Sequence, residues 1–219
     1  MDYTYIIPNW FFGFDIAMEL LFSLITFLVV IFAYRIGYFT KERKIKLFGT
    51  SFLLIGLSYI VWAGINFWFV NLGPEGVREL SIQSITLIGV LSLYAYMILF
   101  TAGLVSLAYL VCDTKKGIVY YLVFGLSLLV IFSSYYKLIS FRILSIFLIS
   151  VITYHYFEEY LRNKNKKSFL VLIAFLFLFS SSVVFVFSAI YYQAYVAGHI
   201  LELVAYLLIL INLIRSVKR

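Results

Sequence analysis

Apolar residues run through this chain in long stretches, and most charged residues fall in the short separators between them. Such runs predict membrane-spanning helices, not the alternating faces of a water-soluble domain. The stretches are Phe14 to Tyr38, Ile45 to Leu72, Glu79 to Cys112, Gly117 to Tyr136, Leu138 to Leu161, Lys167 to Tyr191 and Tyr191 to Arg219. About 20 residues at 1.5 Å each cross a hydrocarbon core, so every stretch is long enough to span it. The third would reach about 50 Å and must tilt or project beyond the bilayer. The expected fold is all-α: a polytopic membrane protein forming a seven-transmembrane-helix bundle, one domain over residues 1–219.

Composition agrees with that reading, since 64% of the residues are hydrophobic and 12% charged, values that exclude an ordinary soluble domain. The basic residues then predict orientation. Arg35, Lys41, Arg43, Lys44, Lys46, Lys115, Lys116, Arg162, Lys164, Lys166, Lys167, Arg215, Lys218 and Arg219 fall on one side of the alternating spans, against Arg78, Lys137 and Arg142 on the other. The positive-inside rule places the N-terminus outside and the C-terminus in the cytoplasm of a multi-pass cell-membrane protein. The net charge of +7 is thereby a topology signal that contacts membrane lipids, and nucleic-acid binding is not implied.

The opening residues lack a basic leader and a small-residue cleavage site, so the first span is expected to be retained. The aromatic segment Asp2 to Gly13 suits an interfacial collar. The single cysteine, Cys112, offers no disulfide or thiolate cluster. Pro8 and Pro74 fall outside the spans, and NLGPEG is expected to turn the chain between the second and third. Unbroken spans argue against a transporter built on interrupted helices.

Chemistry concentrates in the last span. Tyr195, His199, Glu202 and Tyr206 are spaced by four, three and four, which puts them on one helical stripe. A carboxylate within the bilayer costs at least about 2.5–3.5 kcal/mol, so the stripe must face protein or a wet cavity. Asp15 and Glu19 share a face of the first span, where Asp15 suits the helix start; Tyr59, Trp62 and Asn66 share a face of the second. Glu79 and Gln83 are expected on one face at the outer start of the third, and Gln83 is counted among the ligand candidates. His155 and Glu158 read as a solvated helix end. Serines 180, 181, 182 and 188 are of the kind that lets membrane helices approach closely.

Glu19, His199 and Glu202 lie at comparable depth, and first and last helices of a ring are commonly neighbours. Two carboxylates and an imidazole suit Zn2+ or another divalent metal. The same groups suit a proton-linked switch, because histidine titrates near neutrality. They also suit a small polar ligand such as an amine, with Trp62, Trp68, Tyr191 and Tyr195 as aromatic walls and Asn66, Gln83 and Tyr206 as further contacts. A purely structural role, Glu202 bonding His199 and a tyrosine hydroxyl, is the remaining alternative. Retinal is not expected, because Ile200 to Ile214 contains no lysine; haem is not expected, because His155 and His199 lie at opposite faces. The chain contains neither Gly-x-Ser-x-Gly nor His-Glu-x-x-His nor a glycine-rich phosphate loop.

The run YRIGYFTKERKIKLFGTSFLLIGLSYIVWAGIN and the ending GHILELVAYLLILINLIRSVKR resemble stretches of uncharacterised archaeal multi-span proteins. They are also similar in style to the membrane sensor regions that precede bacterial histidine kinases. That resemblance implies a sensor or receptor-like module, with any signal passing through the basic loops to a separate cytoplasmic partner. The alternatives are a membrane-embedded metal-dependent hydrolase of lipid-like substrates, with Glu19 or Glu202 as general base, and a proton or ion carrier.

Overall fold

A computed structural model describes the backbone of residues 13–79, 82–112, 116–188 and 190–217, with side chains described for all of these except 72–79, 82–86, 192 and 217. The aromatic segment Asp2 to Phe12 and the side chains of Glu79 and Gln83 lie outside the described residues.

Seven α-helices make up the described structure: α1 (Phe14–Thr40), α2 (Arg43–Glu79), α3 (Ile82–Val111), α4 (Gly117–Ser133), α5 (Lys137–Asn163), α6 (Lys166–Phe187) and α7 (Tyr192–Val217). In hydrocarbon a backbone must satisfy its own hydrogen bonds, and these apolar runs do so as helices. Short polar separators stop them. Lys41 and Lys164 close α1 and α5 in the left-handed conformation, the latter donating its N–H to the Tyr160 carbonyl at 2.8 Å. Asn165 then caps α6 by accepting from the Lys167 N–H at 3.3 Å.

Six of the helices are long and apolar enough to cross a membrane; α4, with 17 residues, is a shorter apolar helix. The six close into a ring. In order, α1 packs on α2, α2 on α3, α3 on α5, α5 on α6, α6 on α7, and α7 returns to α1. Helix α4 sits outside that ring against α3 and α5. It buries only Ser127 and Ile131, while Leu122, Leu126, Leu129 and Val130 are exposed, as expected of a helix that faces lipid broadly. By contrast, α3 is buried on all sides from Thr101 to Ala108. Gly103 makes that possible: a Cβ there would come within 2.8 Å of the Ser51 carbonyl oxygen on α2.

Two expectations change. The NLGPEG segment does not turn the chain, because α2 continues through it to Glu79. Glycine and proline permit a reversal without imposing one; proline removes one N–H from the ladder and the helix carries on. Consequently Glu79 closes α2 while Gln83 opens α3, so the two do not share a helical face, and α3 is shorter than expected. The link into the last helix also falls earlier, since α6 ends at Phe187 and α7 starts at Tyr192.

The interior of the ring is aromatic. Phe22, Phe52, Tyr59, Phe100, Phe141 and Tyr206 are all fully or nearly fully buried, and most adjoining rings meet edge to face at centroid separations of 5.3–6.3 Å. This is the geometry that ring quadrupoles favour. The outer circumference is equally apolar, with Leu20, Leu24, Ile31, Phe147 and Tyr154 exposed, the inside-out surface of a protein solvated by lipid.

Candidate functional site

The predicted stripe on α7 points inward. Tyr195, His199, Glu202 and Tyr206 are all buried, so the polar face of α7 is turned to the ring interior. Gly198 is a helical residue, not part of a turn, and its value lies in its lack of a side chain. A Cβ there would stand 2.9 Å from the Phe185 ring on α6. The resulting close approach lets Ser181 donate to the Gly198 carbonyl at 2.9 Å, gluing α6 to α7 beside His199.

At the centre, Glu202 accepts a short hydrogen bond from the Tyr59 hydroxyl across the interior from α2. The Tyr206 hydroxyl lies 2.9 Å from that of Tyr59 and 3.4 Å from Glu202. Backbones of α2 and α7 are not neighbours, so side chains alone make this bridge. Glutamate and two tyrosines therefore form a closed triangle in the buried core, in which both hydroxyls and Oε1 of Glu202 have partners. Helix spacing suggested the faces of Tyr59 and Tyr206 but could not pair them, and Tyr59 was not among the residues expected to bind.

Glu19 faces the same interior from α1 and is 3% exposed. Asn66 of α2 brings its amide to the Glu19 carboxyl, and Asp15, Glu202 and Arg142 all lie within electrostatic range. The Glu19 Oε2 atom accepts no hydrogen bond among the described residues. Asp15, one turn earlier, is also buried and accepts from the Gly13 N–H at 2.9 Å, in keeping with its place in the first turn.

His199 is surrounded by rings. Tyr195 lies perpendicular to it at 4.6 Å, Phe185 at 5.0 Å, and Phe22 is tilted against it at 5.7 Å. Phe22 also touches Tyr59 and Tyr206, at 5.3 and 5.8 Å. One phenyl ring thus fills the middle of the set formed by His199, Tyr59 and Tyr206. Among the described residues, no group of three His, Cys, Asp or Glu side chains is placed to hold a metal ion.

Sequence spacing missed Arg142. Its guanidinium lies 4.2 Å over the Phe185 ring, and its charge reaches Glu19, Tyr195, His199 and Glu202. The usable signal was an arginine near the outer end of an apolar span, on the side that has only Arg78 and Lys137 besides it. Of the expected aromatic walls, Trp62 packs against Tyr96 at 5.7 Å within the core and Tyr195 is buried. Trp68 and Tyr191 are exposed and do not line the site.

The opposite end of the bundle opens into a cavity of about 250 Å³, to which all six ring helices contribute, including Ile36 (α1), Phe48 (α2), Leu110 (α3), Tyr156 (α5), Val171 (α6) and Leu213 (α7). It abuts a second space of about 440 Å³ through the shared residues Lys44, Leu110 and Tyr156. The ends bearing Lys44, Arg162, Lys167 and Ser216 therefore gather on one side of the bundle. No protein-family model matches the chain, and neither a curated protein nor a solved structure matches it.

Proposed function

We propose that this chain is a seven-span, receptor-like membrane module, N-terminus outside and C-terminus cytoplasmic, whose outer polar cluster recognises a small polar ligand through Glu19. One observation carries this reading: Oε2 of Glu19 is buried with no hydrogen-bond donor among the described residues, whereas Oε1 of the neighbouring Glu202 accepts from two tyrosine hydroxyls. Leaving a buried acceptor unpaired costs about 1–3 kcal/mol, a cost that a ligand donor removes. Among the described residues, Asp15 and Glu202 add their carboxyl groups to that of Glu19 around one guanidinium, Arg142, so the cluster favours a ligand with an ammonium or similar donor group. Phe22, Tyr59 and Tyr195 supply aromatic surface for such a cation. Orientation rests on the basic residues gathered at the far end.

Thermal unfolding of the full chain in lipid nanodiscs, with propylammonium, choline or Zn2+ added, tests the reading. An ammonium compound is expected to raise the unfolding temperature, and Glu19→Gln to abolish that rise. A rise with Zn2+ alone, lost in His199→Ala, would shift the assignment to a metal ion bound by Glu19, His199 and Glu202. Absence of any rise with all three refutes ligand recognition at this cluster.

A further inference from the structure

We infer that the cavity at the basic end binds an amphiphile with a single alkyl chain and an anionic head, a site separate from the Glu19 cluster and independent of its reading. Three features converge on that chemistry. The inner space is apolar: Ile36, Ile45, Phe48, Val171, Ile209 and Leu213 provide most of its wall, with Asn212 and Ser216 the small polar exceptions. Its volume of about 250 Å³ exceeds the ~150 Å³ of a dry engineered cavity that takes up benzene. That is room for one alkyl chain and too little for a pair of long acyl chains.

The mouth has the opposite character. Lys44 lines both spaces, Arg162 lines the outer one, and Lys167 donates to Ser216 at 3.3 Å on the cavity rim. Glu159 is the one carboxylate among them, and His155 and Asn163 add hydrogen-bonding capacity. Among the described residues, Lys44, Arg162 and Lys167 thus outnumber the carboxylate of Glu159 where a head group would sit, and arginine and lysine are the residues that bind carboxylate and phosphate. An apolar pocket with a few converging polar groups is the usual form of a small-molecule site.

Equilibrium binding of radiolabelled decanoate to the full chain in zwitterionic nanodiscs, with empty discs subtracted, tests the inference. Saturable binding near one per chain is expected, with decanol binding more weakly. The double variant Lys44→Gln/Arg162→Gln should weaken decanoate about tenfold or more, the worth of one charge-assisted contact. Lys44→Arg/Arg162→Lys keeps both charges and should bind within a few-fold of the parent, which separates charge from folding. Discs containing lysophosphatidylglycerol, a single-chain anionic lipid, distinguish the source: if they displace decanoate, the site belongs to a lipid of the bilayer, and if not, to a free carboxylate, and either result supports it. Binding that does not saturate, or that is equal in the parent and the glutamine variant, overturns the inference.

Discussion

Replacing Tyr59 by phenylalanine removes a single oxygen from the centre of the ring and leaves Oε1 of Glu202 with the longer contact to Tyr206. Tyr59 and Tyr206 are 3% and 1% exposed, so water cannot enter to substitute for the lost donor. A buried acceptor stripped of its partner costs about 1–3 kcal/mol in proteins generally. Measured polar contacts between membrane helices are smaller, averaging about 0.6 and reaching about 1.7 kcal/mol. The short Tyr59 bond belongs at the upper end, so Tyr59→Phe should destabilise by about 1–2 kcal/mol. Tyr206→Phe should cost less, because its contact with Glu202 is 3.4 Å. Glu202→Leu is the discriminating variant. It removes the carboxyl whose burial is costly and leaves the two hydroxyls, 2.9 Å apart, as each other's partners. It should therefore be milder than Tyr59→Phe, and adding Tyr59→Phe to it should cost less than Tyr59→Phe alone, since a neutral hydroxyl instead of a carboxyl loses its partner, a coupling of at least about 0.5 kcal/mol. Titration of the purified chain with SDS in mixed micelles, followed by circular dichroism, measures all four variants. If Glu202→Leu proves the most damaging, or if the two changes are additive, the triangle is not the stabilising unit described here.

Two further changes probe packing and topology. Gly198→Ala places a methyl group 2.9 Å from Phe185, whose ring is buried and lies beneath the Arg142 guanidinium; a loss of about 1–3 kcal/mol is expected in the same titration, and a neutral result would contradict the close α6–α7 approach. Cys112 is the single cysteine and is exposed at the basic end of α3, so a membrane-impermeant maleimide should label inverted vesicles and not intact cells. The reverse pattern would invert the proposed orientation.

The sequence alone determined that the chain folds into apolar helices long enough to cross a membrane, where most of them run to within a few residues, the end of α2 excepted, and that α7 turns a tyrosine, histidine and glutamate stripe inward. Those features are local: a helix in hydrocarbon satisfies its own backbone, and an acidic side chain cannot face lipid, whatever its neighbours are. The NLGPEG segment shows the limit even locally, since its residues tolerate a turn and a helix alike. Only the tertiary structure decided that α4 stands outside a ring of six, that Tyr59 closes on Glu202, that Arg142 joins the cluster, and that Phe22 fills the space beside His199. Lateral order and helix rotation depend on how surfaces of different helices fit, at Gly103 against Ser51 and at Gly198 against Phe185. Contacts of that kind join residues far apart in the chain, and no periodicity within one helix encodes its partner.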